Sequence, residues 1–230
     1  MMRVAIVPAR GGSKRIPDKN ITDFFGRPLM AYPISAAEQS GLFDVIHVST
    51  DSARIAEVAA SLGHPPEFMR DPALADDHAP LLPVLQWTIE QYARRGRHFE
   101  SVCLLMPTAT LIEAADLKGA EALFRKAGAT CTVMAVSRFP APVEWAFRIE
   151  RDERLTPVQP GMANVRSQDL RPAYFDSGTF LFIPEADVRA GRLDDARMIA
   201  YHLPRHKAVD IDDAEDLEFA KILYRGGVGS

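Results

Sequence analysis

The sequence predicts an α/β fold organised around a Rossmann-like, mostly parallel sheet. Short apolar runs rich in β-branched residues alternate with helical segments about four times before Ser137, and glycines close several of the helical segments. The run over residues 101–106 is continuously apolar after Ser101, which is typical of a parallel strand covered on both faces. Because the alternation breaks after Ser137, we expect a single domain over residues 1–230 with an inserted excursion over about 138–175.

The individual elements follow from apolar runs, helix caps and glycine stops. The predicted strands cover residues 3–7, 44–49, 66–70, 101–106, 131–137, 145–149, 155–158, 179–183 and 198–203. The predicted helices cover residues 29–40, 53–62, 83–95, 114–126, 185–189 and 214–224. Since right-handed crossovers place the carboxyl ends of parallel strands at one sheet edge, Pro8, Asp51 and Pro107 should all lie at that edge. His47 is expected to be a core histidine rather than a ligand.

Composition limits the classes of protein that the chain can be. It has 230 residues and a formal net charge of −4, which argues against bulk nucleic-acid binding. No apolar run approaches the ~18 residues of a membrane span, and the N-terminus has no signal-peptide pattern, so we expect a cytoplasmic protein without a membrane partner. Cys103 and Cys131, the two cysteines, lie in apolar strand-like runs and are expected to be free thiols.

A loop with two adjacent glycines and several basic residues follows the first strand, after Pro8. Its basic residues are Arg10, Lys14, Arg15 and Lys19. Glycines let backbone N–H groups approach a bound group, and clustered cations add charge-assisted donors, so the loop suits an anion such as polyphosphate. The spacing fits neither a P-loop nor a dinucleotide fingerprint, and a solvated basic turn is the alternative interpretation.

The string from Pro8 to Asn20 resembles the N-terminal signature of the CMP-sugar synthetases that activate nonulosonic acids, namely sialic, legionaminic and pseudaminic acids. Kdo cytidylyltransferases continue differently after the basic residues and rank lower. The resemblance implies a sheet of the nucleotide-diphospho-sugar transferase type and a loop that wraps CTP. Its implied nucleotide-binding residues are Pro8, Ala9, Arg10, Gly11, Gly12, Ser13, Lys14, Lys19, Asn20 and Arg70, the last at the cytosine end.

Two segments depart from the family pattern. Residues 78–82 lack the hydroxyl that family members often carry after the acidic pair. At the end of the strand over residues 101–106, Met106, Ala109 and Ile112 replace the Gln, Ser and Arg found in many members. These replacements resemble the pseudaminic acid branch, with the sialic and legionaminic acid versions as the alternative.

The excursion carries the residues that the resemblance assigns to the sugar. Arg166 suits the sugar carboxylate because guanidinium binds carboxylates bidentately, and Gln168, Tyr174 and Asp176 would support it. A polar surface loop is the alternative. In the family the excursion packs on a second subunit, which implies a homodimer. Its interface anchors would be Phe139, Trp145 and Phe147 unless they form local core.

Asp210 and Asp212 precede the last helix, where Asp213 is expected to be a cap. In extended backbone, residues two apart point to the same side, so these two carboxylates should face one cation, and few hard oxygen ligands suit Mg²⁺. Capping and solvation alone are the alternative. The resemblance implies CMP transfer from CTP to a nonulosonic acid, with Arg10, Lys19, Asp210 and Asp212 as catalytic residues. A CTP-binding module without activity is the alternative of another class.

Overall fold

A computed structural model describes residues 2–76, 80–193 and 197–227. Its strands are β1 (Met2–Pro8), β2 (Asp23–Phe24), β3 (Arg27–Pro28), β4 (Val45–Ser49), β5 (Phe99–Leu105), β6 (Thr132–Arg138), β7 (Phe147–Ile149), β8 (Leu155–Pro157), β9 (Tyr174–Pro184) and β10 (Met198–His202). Its α-helices are α1 (Ala31–Ser40), α2 (Ala53–Ser61), α3 (Leu81–Ala93), α4 (Ala114–Lys126), α5 (Glu185–Arg189) and α6 (Ala214–Gly227).

The central sheet has six strands in the order β10-β6-β9-β5-β1-β4. β1 pairs in parallel with β4 and β5, and β10 pairs in parallel with β6. β9 runs antiparallel to both of its neighbours, β5 and β6. The predicted α/β fold with a Rossmann-like, mostly parallel sheet is therefore confirmed, and the single antiparallel strand is the part of the topology that sequence patterning did not specify.

Helices cover both faces of the sheet, which explains why β1 is apolar at every position from Val4 to Val7. Val4 and Ile6 pack in the cluster that contains Leu85 and Ile89 of α3. Ala5 and Val7 face the other side and pack in the cluster that contains residues of α1 and α4. A strand with two covered faces needs apolar side chains in both directions, so a period of two is absent.

Most predicted elements occur within one to three residues of their expected bounds, and α4 and α5 match them in full. The expected strand over residues 66–70 is wrong, because this segment is irregular. The long loop after β1 is more structured than expected, since it contains a 3-10 turn at Lys19–Ile21 and the small β2–β3 hairpin. α1 ends at Gly41, which adopts a left-handed conformation (φ 62°) as the glycine stop predicts.

Cys103 is buried, Cys131 is partly exposed, and both are free thiols, as predicted. His47 lies in the core, where it is 2% exposed. Its Nδ1 lies 3.0 Å from the Tyr92 hydroxyl, while Nε2 has no hydrogen-bond partner among the described residues. His47 is thus a core histidine, as expected, and one of its two ring nitrogens has a hydrogen-bond partner.

Between β6 and β9 the chain leaves the sheet and forms the β7–β8 hairpin, which pairs antiparallel. Large apolar side chains stand exposed there, among them Phe147, Ile149 and Leu155. Trp145 is held within its own chain, because its indole N–H donates to the Val165 carbonyl at 3.0 Å. In the part of the chain that the structure describes, no helix combines the length and the apolar character that crossing a bilayer requires.

Candidate active site

A cleft of about 570 Å³ lies at the carboxyl ends of β1 and β5. Its walls come from the loop after β1, the segment between α2 and α3, the start of α3, the turn after β5 and the segment before α6. The lining residues are Pro8, Arg10, Ser13, Lys14, Arg15, Lys19, Asn20, Arg70, Leu74, Asp76, Leu81, Val84, Met106, Pro107, Thr108, Asp210 and Asp212. Parallel strands in open α/β sheets place ligand sites at this edge.

The structure brings most of the predicted nucleotide and metal residues into this one cleft, although they are far apart in sequence. Ala9, Gly11 and Gly12 are predicted nucleotide contacts that do not line the cleft wall. Ala9 is fully buried beneath the loop, and the Gly11 N–H already donates to Asp51 Oδ1 at 3.0 Å. Asn20, which is 5% exposed, donates from Nδ2 to the Arg10 carbonyl at 3.1 Å and so braces the loop from inside.

Asp210 and Asp212 both line the cleft, while Ile211 between them is fully buried, as the alternation of an extended segment predicts. Basic residues of the loop reach across to this pair. Lys19 Nζ donates to the Ile211 carbonyl at 2.7 Å and to Asp212 Oδ1 at 3.2 Å. Arg15 Nη2 lies 2.8 Å from the same Asp212 oxygen. Ion pairs and a hydrogen bond therefore connect the basic loop directly to the segment that carries the two carboxylates.

The two carboxylates differ in their surroundings. Partial desolvation within the cleft, followed by the negative charge of Asp212, raises the pKa of Asp210 above its usual range. Desolvation acts in the same direction on Asp212, but the hydrogen bond and charge of Lys19, together with Arg15, outweigh it and lower the pKa of Asp212. Asp212 therefore has two cations of the chain beside it, whereas Asp210 is held by the uncharged hydroxyl of Thr108.

Two residues fix the position of Asp210. Thr108, at the end of β5, donates from Oγ1 to Asp210 Oδ1 at 3.4 Å. Gly178 of β9 has φ 63°, and a Cβ added there would lie 2.9 Å from Asp210 Oδ2. The absence of a side chain at Gly178 therefore creates the space that the Asp210 carboxylate occupies.

Arg70 is buried in the cleft wall with 4% exposure. It donates from Nε to Ser49 Oγ at 3.0 Å and from Nη2 to the Ser49 carbonyl at 2.6 Å. Burial lowers the pKa of Arg70 to about 10; Asp51 opposes this effect and Arg10 adds to it. The side chain is still a cation at neutral pH, and it is held rigidly by the end of β4.

Most of the predicted nucleotide residues line the cleft of the single chain, but none of the predicted sugar-binding residues does. Arg166 is exposed and pairs with Asp169, Nε to Oδ2, at 2.9 Å. Gln168 lies in the 3-10 turn Ser167–Asp169. The Tyr174 ring packs edge-on against His202, and Asp176 Oδ1 accepts from the Gly178 N–H at 2.9 Å.

Several lining residues were not among the predicted site residues: Arg15, Leu74, Asp76, Leu81, Val84, Met106, Pro107 and Thr108. The sequence could have identified Arg15 and Thr108 as site residues, because Arg15 is part of the basic string and Thr108 follows the end of a strand. Leu74, Leu81 and Val84 give no such signal, since only packing reveals an apolar cleft wall. The hydroxyl-poor segment 78–82 falls partly on residues 77–79, which lie outside the described residues.

Comparison with known proteins gives consistent matches along the whole chain. A family model described as cytidylyltransferase matches residues 4–95. The pseudaminic acid cytidylyltransferase of Campylobacter jejuni subsp. jejuni serotype O:2 is 38% identical over 226 residues, which cover 98% of this chain and 97% of the relative. The CMP-N,N'-diacetyllegionaminic acid synthase of Legionella pneumophila is 33% identical, with coverage of 67% of this chain and 66% of the relative.

Solved structures agree on the fold. A CMP:2-keto-3-deoxy-manno-octonic acid synthetase complexed with CTP superposes with a TM-score of 0.72 at 15% identity, covering 98% of this chain and 99% of that one. The 4-diphosphocytidyl-2C-methyl-D-erythritol synthase of Anaerococcus prevotii gives a TM-score of 0.64 at 13% identity, covering 97% and 98%. These structures show the fold alone. The identity and coverage of the Campylobacter relative show that the chain belongs to the nonulosonic acid cytidylyltransferase family of nucleotidyltransferases.

Proposed function

We propose that the protein transfers CMP from CTP to the anomeric hydroxyl of a nonulosonic acid, with pseudaminic acid as the substrate, and releases pyrophosphate. One observation carries this proposal. In a chain similar over its whole length to a pseudaminic acid cytidylyltransferase, the basic loop and the pair Asp210 and Asp212 meet in a single cleft. The sugar identity is supported further by the apolar turn around Met106, Ala109 and Ile112, which resembles the pseudaminic acid branch.

The loop would bind the triphosphate. Arg10, Lys14 and Lys19 present positive charge along one wall, and Ser13 adds a hydroxyl. Arg70 would hold the cytosine end, because its guanidinium is fixed by Ser49 and needs little reorganisation on binding. The anomeric hydroxyl gives its proton to Asp210, Asp212 or water, and its oxygen attacks the α-phosphorus. The new C–O–P bond forms as the bond from the α-phosphorus to the bridging oxygen breaks, and pyrophosphate leaves with that oxygen. Such a step requires in-line positioning and charge stabilisation rather than a covalent intermediate.

Asp210 and Asp212 fit Mg²⁺, which usually takes one or two protein carboxylates and completes its shell with substrate phosphates and water. Desolvation in the cleft and the charge of Asp212 both raise the pKa of Asp210, and a cation between the two carboxylates would offset both effects. When bound, the ion would neutralise charge developing on the phosphates. Lys19 and Arg15 keep Asp212 ionised at neutral pH, and they would turn toward the triphosphate when it arrives.

The excursion would complete the sugar site in a homodimer. Its exposed apolar side chains, including Phe147 and Ile149, offer a surface for a second subunit. Arg166 would then bind the sugar carboxylate, supported by Gln168, Tyr174 and Asp176, across the interface. A homodimer in the cytoplasm, where CTP is available, is the arrangement that this proposal requires.

The test is pyrophosphate release from CTP and Mg²⁺ with a panel of three sugars: pseudaminic acid, N-acetylneuraminic acid and N,N'-diacetyllegionaminic acid. We expect release with pseudaminic acid and not with ATP, GTP or UTP in place of CTP. Release with another sugar alone would transfer the assignment to that sugar. If calorimetry shows CTP binding but no sugar of the panel leads to pyrophosphate release, the protein is a nucleotide-binding module without activity. Light scattering tests the dimer.

A further inference from the structure

The turn between β4 and α2, together with the first turn of α2, holds the phosphate loop at two separate points. The Asp51 carboxylate accepts the Gly11 N–H at 3.0 Å, near the start of the loop. The Arg54 guanidinium forms an ion pair with Asp18, near the end of the loop. Between these two points lies an arch, residues 12–17, and three of its side chains line the cleft: Ser13, Lys14 and Arg15. One short segment therefore fixes both ends of the arch.

The backbone at both points is adapted to this contact. A Cβ added to Gly11 would lie 3.0 Å from Ser52 Cβ, so the loop approaches the turn as closely as a glycine permits. Asp18 adopts a left-handed conformation with φ 52°, which is uncommon for a residue other than glycine. The close approach and the left-handed residue occur where the two contacts are made, and not at other points of the arch.

The turn that makes these contacts is itself well anchored. The Ser52 N–H donates to Thr50 Oγ1 at 3.1 Å, and the Ile55 N–H donates to Ser52 Oγ at 3.4 Å. The Arg70 N–H donates to the Thr50 carbonyl at 2.7 Å. Since Arg70 also bonds to Ser49, the same turn connects the phosphate loop with the cleft wall that contains Arg70.

We infer that Asp51 and Arg54 are positioning residues for CTP: they act on the nucleotide through the arch by holding its two ends. The inference rests on the proposed function, because it concerns the same cleft. An arch that is already in its bound arrangement loses less conformational entropy when the triphosphate binds, so affinity for CTP increases.

Electrostatics makes the opposite prediction, which gives the inference a clear test. Asp51 and Asp18 are anions beside a site for a polyanion. If they acted by charge alone, their removal would strengthen CTP binding, because repulsion would fall. If they hold the arch, their removal weakens CTP binding despite the lost repulsion.

Four variants separate the two accounts, measured by CTP calorimetry and by KM for CTP, KM for the sugar and kcat in pyrophosphate release. We expect Asp51→Ala and Asp18→Asn each to raise Kd and KM for CTP about fivefold to tenfold. The first variant removes the hydrogen bond at the start of the arch, and the second removes the ion pair at its end. Asn tolerates the left-handed backbone of Asp18, so that variant removes the charge alone. Asp51→Asn keeps an acceptor for the Gly11 N–H and should stay within about twofold of wild type. Glu57→Gln, an exposed acid of α2, is the matched charge control and should change nothing.

The KM for the sugar should not change in any of the four variants, and melting without ligand should match wild type. Unchanged or tighter CTP binding in Asp51→Ala and Asp18→Asn would overturn the inference, as would an equal loss in Asp51→Asn. If wild type binds CTP but releases no pyrophosphate, the proposed function fails while calorimetry still tests the positioning role. A wild-type chain that binds no CTP overturns both.

Discussion

The cleft and the excursion of this chain differ in how completely one chain assembles them. In the cleft, the charged groups are held by nearby backbone and side chains: Arg70 by Ser49, and Lys19 by Ile211 and Asp212. In the excursion, Arg166 is exposed and pairs with its neighbour Asp169. The difference indicates that the proposed nucleotide half of the site is preorganised within one chain. The sugar half, as we propose, needs a second chain.

The largest effect should come from the cleft. Asp212→Asn removes the charge that faces both Lys19 and Arg15, and we expect kcat to fall by at least about a thousandfold. Protection of the protein by CTP in a thermal melt should survive in part, because the loop and Arg70 remain. Asp213→Asn is the matched control. Asp213 accepts from the Glu215 N–H at 2.9 Å as a helix cap, and Asn caps a helix about as well as Asp, so that variant should keep both its stability and its kcat. Full activity in Asp212→Asn would contradict the metal assignment.

A sugar-specific effect should come from the excursion. Arg166→Ala should raise KM for the sugar about a hundredfold, the loss of a bidentate charged contact, while Kd for CTP stays unchanged. Arg166→Lys should recover only part of this loss, because an ammonium group cannot bind a carboxylate bidentately. Arg148→Ala removes another exposed cation of the excursion and should have no effect on either substrate. Weaker CTP binding in Arg166→Ala would contradict the division of the site into two halves.

A substitution at Gly178 tests whether the position of the Asp210 carboxylate depends on the space beside this glycine. Alanine there would both strain the backbone at φ 63° and push on the Asp210 carboxylate, so we expect kcat to fall about tenfold and stability by about 1 kcal/mol. Gly63→Ala provides the control, because φ is 87° but nothing lies within 4 Å of the added Cβ. It should lose similar stability and no activity. Equal kcat in the two variants would show that Asp210 does not depend on the space at Gly178.

The same division explains what sequence reasoning could reach. The nucleotide half was predictable because its residues form a continuous string from Pro8 to Asn20, followed by strand ends that a parallel sheet must bring to one edge. Asp210 and Asp212 were predictable as a pair because a spacing of two places them on one side. The roles of Asp51 and Gly178 were not predictable, since they depend on contacts between segments distant in sequence.

The direction of one strand in the central sheet was also not predictable from the sequence. The apolar run within β9 predicts a strand but carries no information about its direction, and β9 proved to be antiparallel between β5 and β6. The expected strand over residues 66–70 failed for a related reason. Phe68 in that segment packs against the His47 ring, with 4.6 Å between ring centroids, so its apolar side chain belongs to the core without any ladder pairing.

His47 gives a predicted effect on stability alone and none on activity, and it tests the packing of the core beside the cleft. Burial, with the positive charges of Arg70 and Arg97, lowers the pKa of His47 to about 3, from 6.5 for a free side chain. Below pH 6.5 the unfolded chain takes up a proton at this residue that the folded chain refuses. The stability that neutral His47 contributes is therefore present above pH 6.5 and is lost as pH falls toward 3.

The expected slope is up to about 1.4 kcal/mol of unfolding free energy per pH unit over this window. His47→Gln should flatten it, since an amide can still accept from the Tyr92 hydroxyl but does not titrate. Urea unfolding at pH 7, 6, 5 and 4 measures the slope, and His98→Gln, at an exposed position, controls for the loss of a histidine. If both variants keep the wild-type slope, then His47 is open to protons in the folded state. The wall behind Arg70 would then be less tightly packed than the contacts among His47, Phe68 and Tyr92 indicate.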